Sequence, residues 1–185
     1  ADLAARRIRT SSPPQADFVE ALGATPVQTG FADIMPNLKS GNIDCAITGT
    51  MSGNTIGLHE VTTHLHTMPV NWGVALFVAN GSAWSALSKD LQELLKRELP
   101  KLEQAIWTEA ENETSNGVAC NTGAASCSGG RPGHMVVVRP TAADNAKRHE
   151  ILVGSILPAY LKRCGARCSQ VWNQTVGSAS GVALP

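Results

Sequence analysis

The sequence predicts an α/β fold with a parallel sheet layer, and three observations carry that expectation. Short β-like runs alternate with helical runs through the first third of the chain, the order that lays helices over a parallel sheet. Hydrophobic residues make up 43% of the 185 residues, enough to build a core. Breaker clusters such as Ser12-Pro13-Pro14 and Ser40-Gly41 fall between the runs. A chain of this length fits one domain or two small lobes.

The elements follow in order. Arg6 to Thr10 reads as a strand carrying Ile8, and Pro14 opens a helix that runs to Leu22, with Gly23 as its stop signal. Pro26 to Thr29 is a second strand. A helix from Ala32 to Lys39 has Pro36 near its first turn, and Ile43 to Thr48 is a third strand. The stretch Thr50 to Gly57 is expected to be a polar loop leading to a short helix with His59, Glu60 and Val61. Asn71 to Val78 reads as a strand, with the apolar run Gly73 to Ala79 buried. The strongest helix starts after Ser88, a natural N-cap. Asp90 suits its first turn, and Leu91, Leu94, Leu95, Leu99, Leu102 and Ile106 repeat at three and four; Pro100 is expected to kink it without ending it. Gly117 to Gly133 is rich in small residues and reads as a connector, and Met135 to Val138 as a last strand. Thr141 and Asp144 form a capping-box pair before a helix that is expected to bury Leu152, Ile156 and Tyr160 and to be interrupted at Pro158. There is no internal repeat.

Composition narrows the function classes. Charged residues are 16%, against about 25% in typical soluble proteins, and the formal net charge is +0. Arg6, Arg7 and Arg9 cluster, but three arginines make no basic groove, so nucleic acid is not an expected partner. No apolar run approaches the roughly 20 residues that a membrane helix needs. No basic-then-apolar leader starts at Ala1, so a secretion signal is expected to have been removed or to lie outside this sequence.

Cysteine usage points to an oxidising compartment. Cys164 and Cys168 lie in RCGARC, Cys120 and Cys127 bracket a loop of small residues, and Cys45 is left over. Two local bridges, Cys120–Cys127 and Cys164–Cys168, are therefore expected. Zinc is the competing reading, although the gap between Cys120 and Cys127 fits its usual ligand spacing poorly. RCGARC is not C-x-x-C, which favours a structural bridge over a redox centre. His59, His64 and His66 suggest a metal cluster at first sight. On a helix, positions 64 and 66 stand about 200° apart, so a solvated helix face is the expectation and no metal is proposed. No G-x-S-x-G elbow, H-E-x-x-H helix or phosphate-cradling loop occurs, and no cofactor is called for. Asn80, Asn112 and Asn173 open N-x-S/T triplets, which matter only in a glycosylating host.

Four segments together resemble the substrate-binding proteins of TRAP (tripartite ATP-independent periplasmic) transporters, of the dicarboxylate-binding type. They are RRIRTSSPPQADFVEALGATPV, FADIMPNLKSGNIDCAITG, GLHEVTTHL and FVANGSAWSALSKDLQELLK. The first two carry most of the likeness: a strand ending in arginine, a helix, a Gly-Ala-x-Pro turn, then an aromatic residue opening a helix that ends in glycine followed by aspartate. The resemblance implies a periplasmic-binding-protein-like, two-lobed architecture of which this chain corresponds to the C-terminal part. Residues 1–72 and 118–185 are expected to form most of the second lobe, and 73–117, with the long helix, to return to the first lobe, whose N-terminal segment is expected to be absent. After Asp44 the chain departs from the family's Gly-x-Glu-Asn-Pro-like stretch and has CAITGTMSG instead.

The resemblance also implies a function: an extracytoplasmic protein that captures a small organic carboxylate and delivers it to membrane permease subunits, in the periplasm, with no covalent chemistry and no catalytic residues. Arg9 is the implied carboxylate anchor, because a guanidinium is a permanently charged planar fork and stands here at a strand end. Without the resemblance, Arg9 reads as a solvated arginine. Phe31 is the implied pocket aromatic; by pattern alone it is a core residue or hydrophobic staple. Thr48, Asn71 and Trp72 near strand ends are expected to add hydrogen bonds or an apolar wall, with core packing or a turn contact as their ordinary alternative. Two rivals come from other classes: a small secreted hydrolase, which turnover of ligand would reveal, and an isolated structural or interaction fragment whose uncovered sheet face pairs into a homodimer.

Overall fold

The computed structural model describes residues 3–165 and 167–184. Its centre is a three-stranded parallel sheet ordered β2-β1-β3, with β1 at Arg7–Thr10, β2 at Thr25–Gln28 and β3 at Cys45–Ala46. Helix α1 (Pro13–Ala21) follows β1, and α2 (Ile34–Lys39) links β2 to β3. Pro13 and Pro14 occupy the first turn of α1, where their missing N–H groups cost nothing. Gly23, at φ 76°, takes the left-handed conformation that ends this helix. Ile8 packs with Val19 of α1 and with Ala24, and Cys45 and Ile47 lie against them. The chain leaves β1 toward β2 on one side, then crosses back to β3 on the other. The C-terminal end of β1 is thus where strand order reverses, the position at which open α/β sheets form a ligand crevice.

Helix α3 (Thr50–Thr55) and a 3-10 turn (Leu58–Glu60) come next, then β4 (His64–His66), which pairs in parallel with β5 (Val136–Val138). Helices α4 (Gly81–Ala86) and α5 (Lys89–Thr122) follow a stretch without regular secondary structure at residues 67–80. Asn80 caps α4 through Ser82 N–H and Ala83 N–H, and Ser88 caps α5 through Leu91 N–H. The C-terminal part contains α6 (Ala142–Ile151), a π-helical turn (Leu152–Ile156), α7 (Leu157–Cys164), α8 (Arg167–Gln174) and α9 (Val176–Ser180). The Thr141–Asp144 capping box is formed in both directions. Cys120 is bridged to Cys127 and Cys164 to Cys168, and Cys45 is free.

Several expectations are corrected. Thr50 to Thr55 is helix and not loop: Gly53 and Asn54 are buried, and α3 packs on α5 so closely that small residues are needed at the contact. The first part of the expected connector, Gly117 to Thr122, is the end of α5 for the same reason. His64 and His66 lie on a strand. Period two places them on one face, so the helical-angle argument against their sharing a face fails. Even so, no group of three metal-ligating side chains occurs among the described residues. Asn71 to Val78 forms no ladder with any described strand, and the apolar run is exposed, because pairing partners are what turn such a pattern into a buried strand. The third strand is shorter than expected. In the C-terminal helix Ile151 and Leu157 are the buried residues, while Leu152, Ile156 and Tyr160 are half-buried. Pro158 stands in the first turn of α7, directly after the π-helical turn that separates α7 from α6, so the α-helical bonding is interrupted just before the proline and the chain stays helical through it.

Candidate functional site

Arg9 is next to last on β1, level with Val27 of β2 and Ala46 of β3. Its side chain reaches along the C-terminal edge of the sheet in both directions. Nε donates to the carbonyl of Thr29 at 3.1 Å and Nη1 to the carbonyl of Ile47 at 2.9 Å. Arg9 is 5% exposed, and burial pulls its pKa down from the ordinary value. Among the described residues no carboxylate pairs with it, in contrast to Arg7, whose guanidinium grips Asp44. An arginine held by carbonyl dipoles alone is a fixed, partly desolvated positive charge with donors to spare. The buried hydroxyls of Thr10 and Thr29 also have no partner among the described residues, and Thr29 N–H bonds the Thr10 carbonyl, so both flank the arginine.

The other residues named from sequence distribute as follows. Phe31, shortly after β2, is 45% exposed and therefore no core residue. Thr48, shortly after β3, is half-buried and lies against Gly53. Arg9, Phe31 and Thr48 thus all sit at the C-terminal sheet edge. Asn71 is brought to the same edge by one bond: Gln15 Nε2 donates to its Oδ1 at 2.7 Å. Trp72 is 84% exposed and packs on none of this.

Gln15 escaped notice in the sequence. It is buried at the third position of α1, and its Oε1 accepts from both the N–H and the hydroxyl of Ser11. The available signal was position: a glutamine in the first helical turn reaches back to the residues before the helix. A cleft of about 290 Å³ opens beside it, lined on one side by Ser12, Gln15 and Asn71 and on the other by Ile156, Tyr160 and Trp172. Arg9, Phe31 and Thr48 do not line this cleft; the edge therefore offers a fixed cation and, beside it, a cleft with amide and hydroxyl groups and an apolar wall. That set can hold a small anion. It contains no paired nucleophile and base.

Residues 1–121 match the family described as bacterial extracellular solute-binding protein, family 7. The chain belongs to that family. Its members are transport proteins that bind solutes, and the family match lends nothing to a hydrolase. Solved structures share the fold. The periplasmic ectoine-binding protein of a TRAP transporter from Halomonas elongata superposes with a TM-score of 0.75 at 19% identity, over 94% of this chain and 54% of that one. A Bordetella pertussis extracytoplasmic solute receptor binding pyroglutamic acid gives 0.73 at 16% identity, over 93% and 54%. A TRAP periplasmic solute-binding protein from Desulfovibrio salexigens with bound orotic acid gives 0.72 at 17% identity, over 94% and 53%. The chain therefore spans about half the length of the proteins whose fold it shares. Among curated proteins none matches. No helix among the described residues is long and apolar enough to cross a membrane.

Proposed function

We propose that the whole protein captures a small organic carboxylate in the periplasm and passes it to the membrane permease subunits of a TRAP-type transporter, with Arg9 as the carboxylate anchor. The observation that carries this reading is the buried Arg9 guanidinium, held by two backbone carbonyls and paired with no acid among the described residues, at the strand-order reversal of a parallel sheet. A planar carboxylate satisfies the fork that the carbonyls leave open. Phe31 and Thr48 stand at the same edge and are proposed to line the site. Asn71 joins them through Gln15, and Trp72 is proposed to complete the wall when covered. The ligands named for the structures of similar fold, pyroglutamic acid and orotic acid among them, support the same class.

Residues 1–72 and 118–185 are proposed to form one lobe, with 73–117 reaching toward another. Supporting this division, α3 packs on α5, whereas α5 is exposed on every side from Lys101 to Ser115. Alone, the 185-residue chain is proposed to bind carboxylates weakly and to pair with a second copy.

The test is a titration of the chain with a panel of small mono- and dicarboxylates, followed by NMR, which detects weak binding. Shifts should centre on Arg9, Thr29 and Ile47. Arg9→Lys should weaken binding by about tenfold, because lysine's point charge cannot replace the fork. Equal affinities in the two proteins would remove Arg9 from the site.

A further inference from the structure

We infer that Gln15 is a positioning residue that fixes the polarity of a second ligand contact: it holds the Asn71 amide so that its NH2 group, and not its carbonyl, faces the ligand. This inference rests on the carboxylate reading of Arg9 and adds the chemistry of the ligand's other end.

The inference follows from a chain of hydrogen bonds in which each link leaves only one choice. The Ser11 backbone N–H can only donate, and it lies 2.8 Å from Gln15 Oε1. The Ser11 hydroxyl is 3.1 Å from the same oxygen. The Gln15 amide is thereby fixed with its oxygen toward Ser11, which leaves Nε2 to donate in the other direction. Its partner, 2.7 Å away, must be an acceptor, so Asn71 turns Oδ1 inward. The Asn71 Nδ2 group then faces away from Gln15, and it has no partner among the described residues. A rigid backbone N–H thus sets the orientation of an exposed amide through a side chain that is only 5% exposed.

The surroundings identify the ligand group that such an amide meets. Asn71 and Gln15 line the cleft of about 290 Å³ whose far wall is Ile156, Tyr160 and Trp172, and no charged side chain lines it. The cleft starts at Ser12, three residues after Arg9, a stretch of chain that spans at most about 10 Å. A ligand whose carboxylate sits on Arg9 is therefore met, on the Asn71 side, by an uncharged donor against an apolar wall. The preferred ligand class is a carboxylate whose distal part is apolar and carries a neutral hydrogen-bond acceptor, such as a carbonyl, in place of an ammonium group. The same geometry holds residues 68–79 in place. The side-chain hydrogen bonds that reach them from distant parts of the described chain are Gln15 to Asn71 and Arg148 to the Pro69 carbonyl, and Met68 N–H donates locally to His66 Nδ1.

The test compares two acids of one skeleton on the 185-residue chain: 4-oxopentanoate, which offers an acceptor, and 4-aminopentanoate, which offers a donor. The expected result is a preference for the oxo acid of about fivefold, the size of one net hydrogen bond. Gln15→Met should abolish most of that preference, Asn71→Ala should do the same, and the double variant should lose no more than either single one. A ligand-free measurement separates positioning from folding. In the native chain the Gln15 side-chain NH2 should exchange slowly with solvent and the Asn71 NH2 quickly. In Gln15→Glu the Asn71 NH2 should become slow, because glutamate forces it to turn inward and donate. An unchanged preference in Gln15→Met, additive losses in the double variant, or slow Asn71 exchange in the native chain each overturn the inference while leaving Arg9 in place. A chain that binds neither acid overturns the carboxylate reading, and this inference with it.

Discussion

Arg7 and Arg9 stand two positions apart on β1 and carry the same charge, yet only one is neutralised within the described chain. Arg7 is exposed. Its Nη2 donates to Asp44 Oδ1 at 2.7 Å, its Nε to Oδ2 at 3.1 Å, and its backbone N–H to Oδ2 at 2.8 Å. The Arg7 side-chain bonds first, and its backbone bond second, hold the Asp44 carboxyl at about 2, below its ordinary 3.8. A carboxyl depressed in the folded state contributes stability above its unfolded pKa and loses it as pH falls through the folded one. That contribution is therefore complete above about pH 4 and gone near pH 2. Urea midpoints measured from pH 5 to 2 should fall more steeply for the native chain than for Asp44→Asn; parallel curves would contradict the linkage. The sequence made Arg9 visible as a residue type at a strand end, but its burial and its carbonyl partners depend on where β2 and β3 terminate, which no local pattern states. Gln15 was less legible still, since its role needs Asn71, which is remote in sequence.

At the scale of elements, local signals were strong where the chain caps its own helices. Ser88, the Thr141–Asp144 pair and the Pro13-Pro14 start all act as their positions suggest. They failed where packing overrides propensity. Thr50 to Thr55 contains threonine, serine, glycine and asparagine, poor helix formers, yet it is helical because it lies on α5. Gly117 makes that contact possible: a Cβ there would run into the Met51 backbone nitrogen and the Thr50 hydroxyl. Asn54 completes the joint. Its Oδ1 accepts from Arg131 N–H, and its Nδ2 reaches both the Asn121 side chain and the Arg131 carbonyl. Glycine to alanine in a helix interior ordinarily stabilises by up to about 1 kcal/mol. At Gly117 overpacking against backbone should reverse the sign and destabilise by about 1–3 kcal/mol. Gly154 has open space around it, so alanine there should be neutral or mildly stabilising. Chemical denaturation of the two variants checks the contrast, and a Gly117→Ala chain as stable as the native one would mean the α3–α5 contact can open freely.

At the scale of the whole molecule, one surface is unlike the rest. Trp72, Val74, Leu76, Phe77 and Val78 are all at least 74% exposed. Leu99, Leu102, Ile106 and Trp107 continue the apolar surface along α5, with Phe77, Trp84, Leu95 and Leu99 sharing one groove. Apolar patches beyond a few hundred Å² mark interaction surfaces in soluble proteins. The extended run beside them has unpaired backbone groups, which favour pairing with another chain. The charges on the outer part of α5 do not oppose pairing along its apolar stripe: Lys101 and Glu103 lie near the helix middle, and the further acids Glu109, Glu111 and Glu113 lie beyond Ile106. Burying the stripe against a two-fold-related copy stabilises by roughly 25 cal/mol per Å² covered, before the cost of association is subtracted. The 185-residue chain on its own should therefore scatter light as a dimer or larger species at high concentration and dissociate on dilution. Replacing Leu102 and Ile106 together with glutamate should shift it to monomer at every concentration while α5 keeps its helical circular dichroism, since both residues are already a little under half exposed. A native chain that stays monomeric and well folded throughout the dilution series would show that this surface needs no partner, and would remove the homodimer from the account while leaving the Arg9 site untouched.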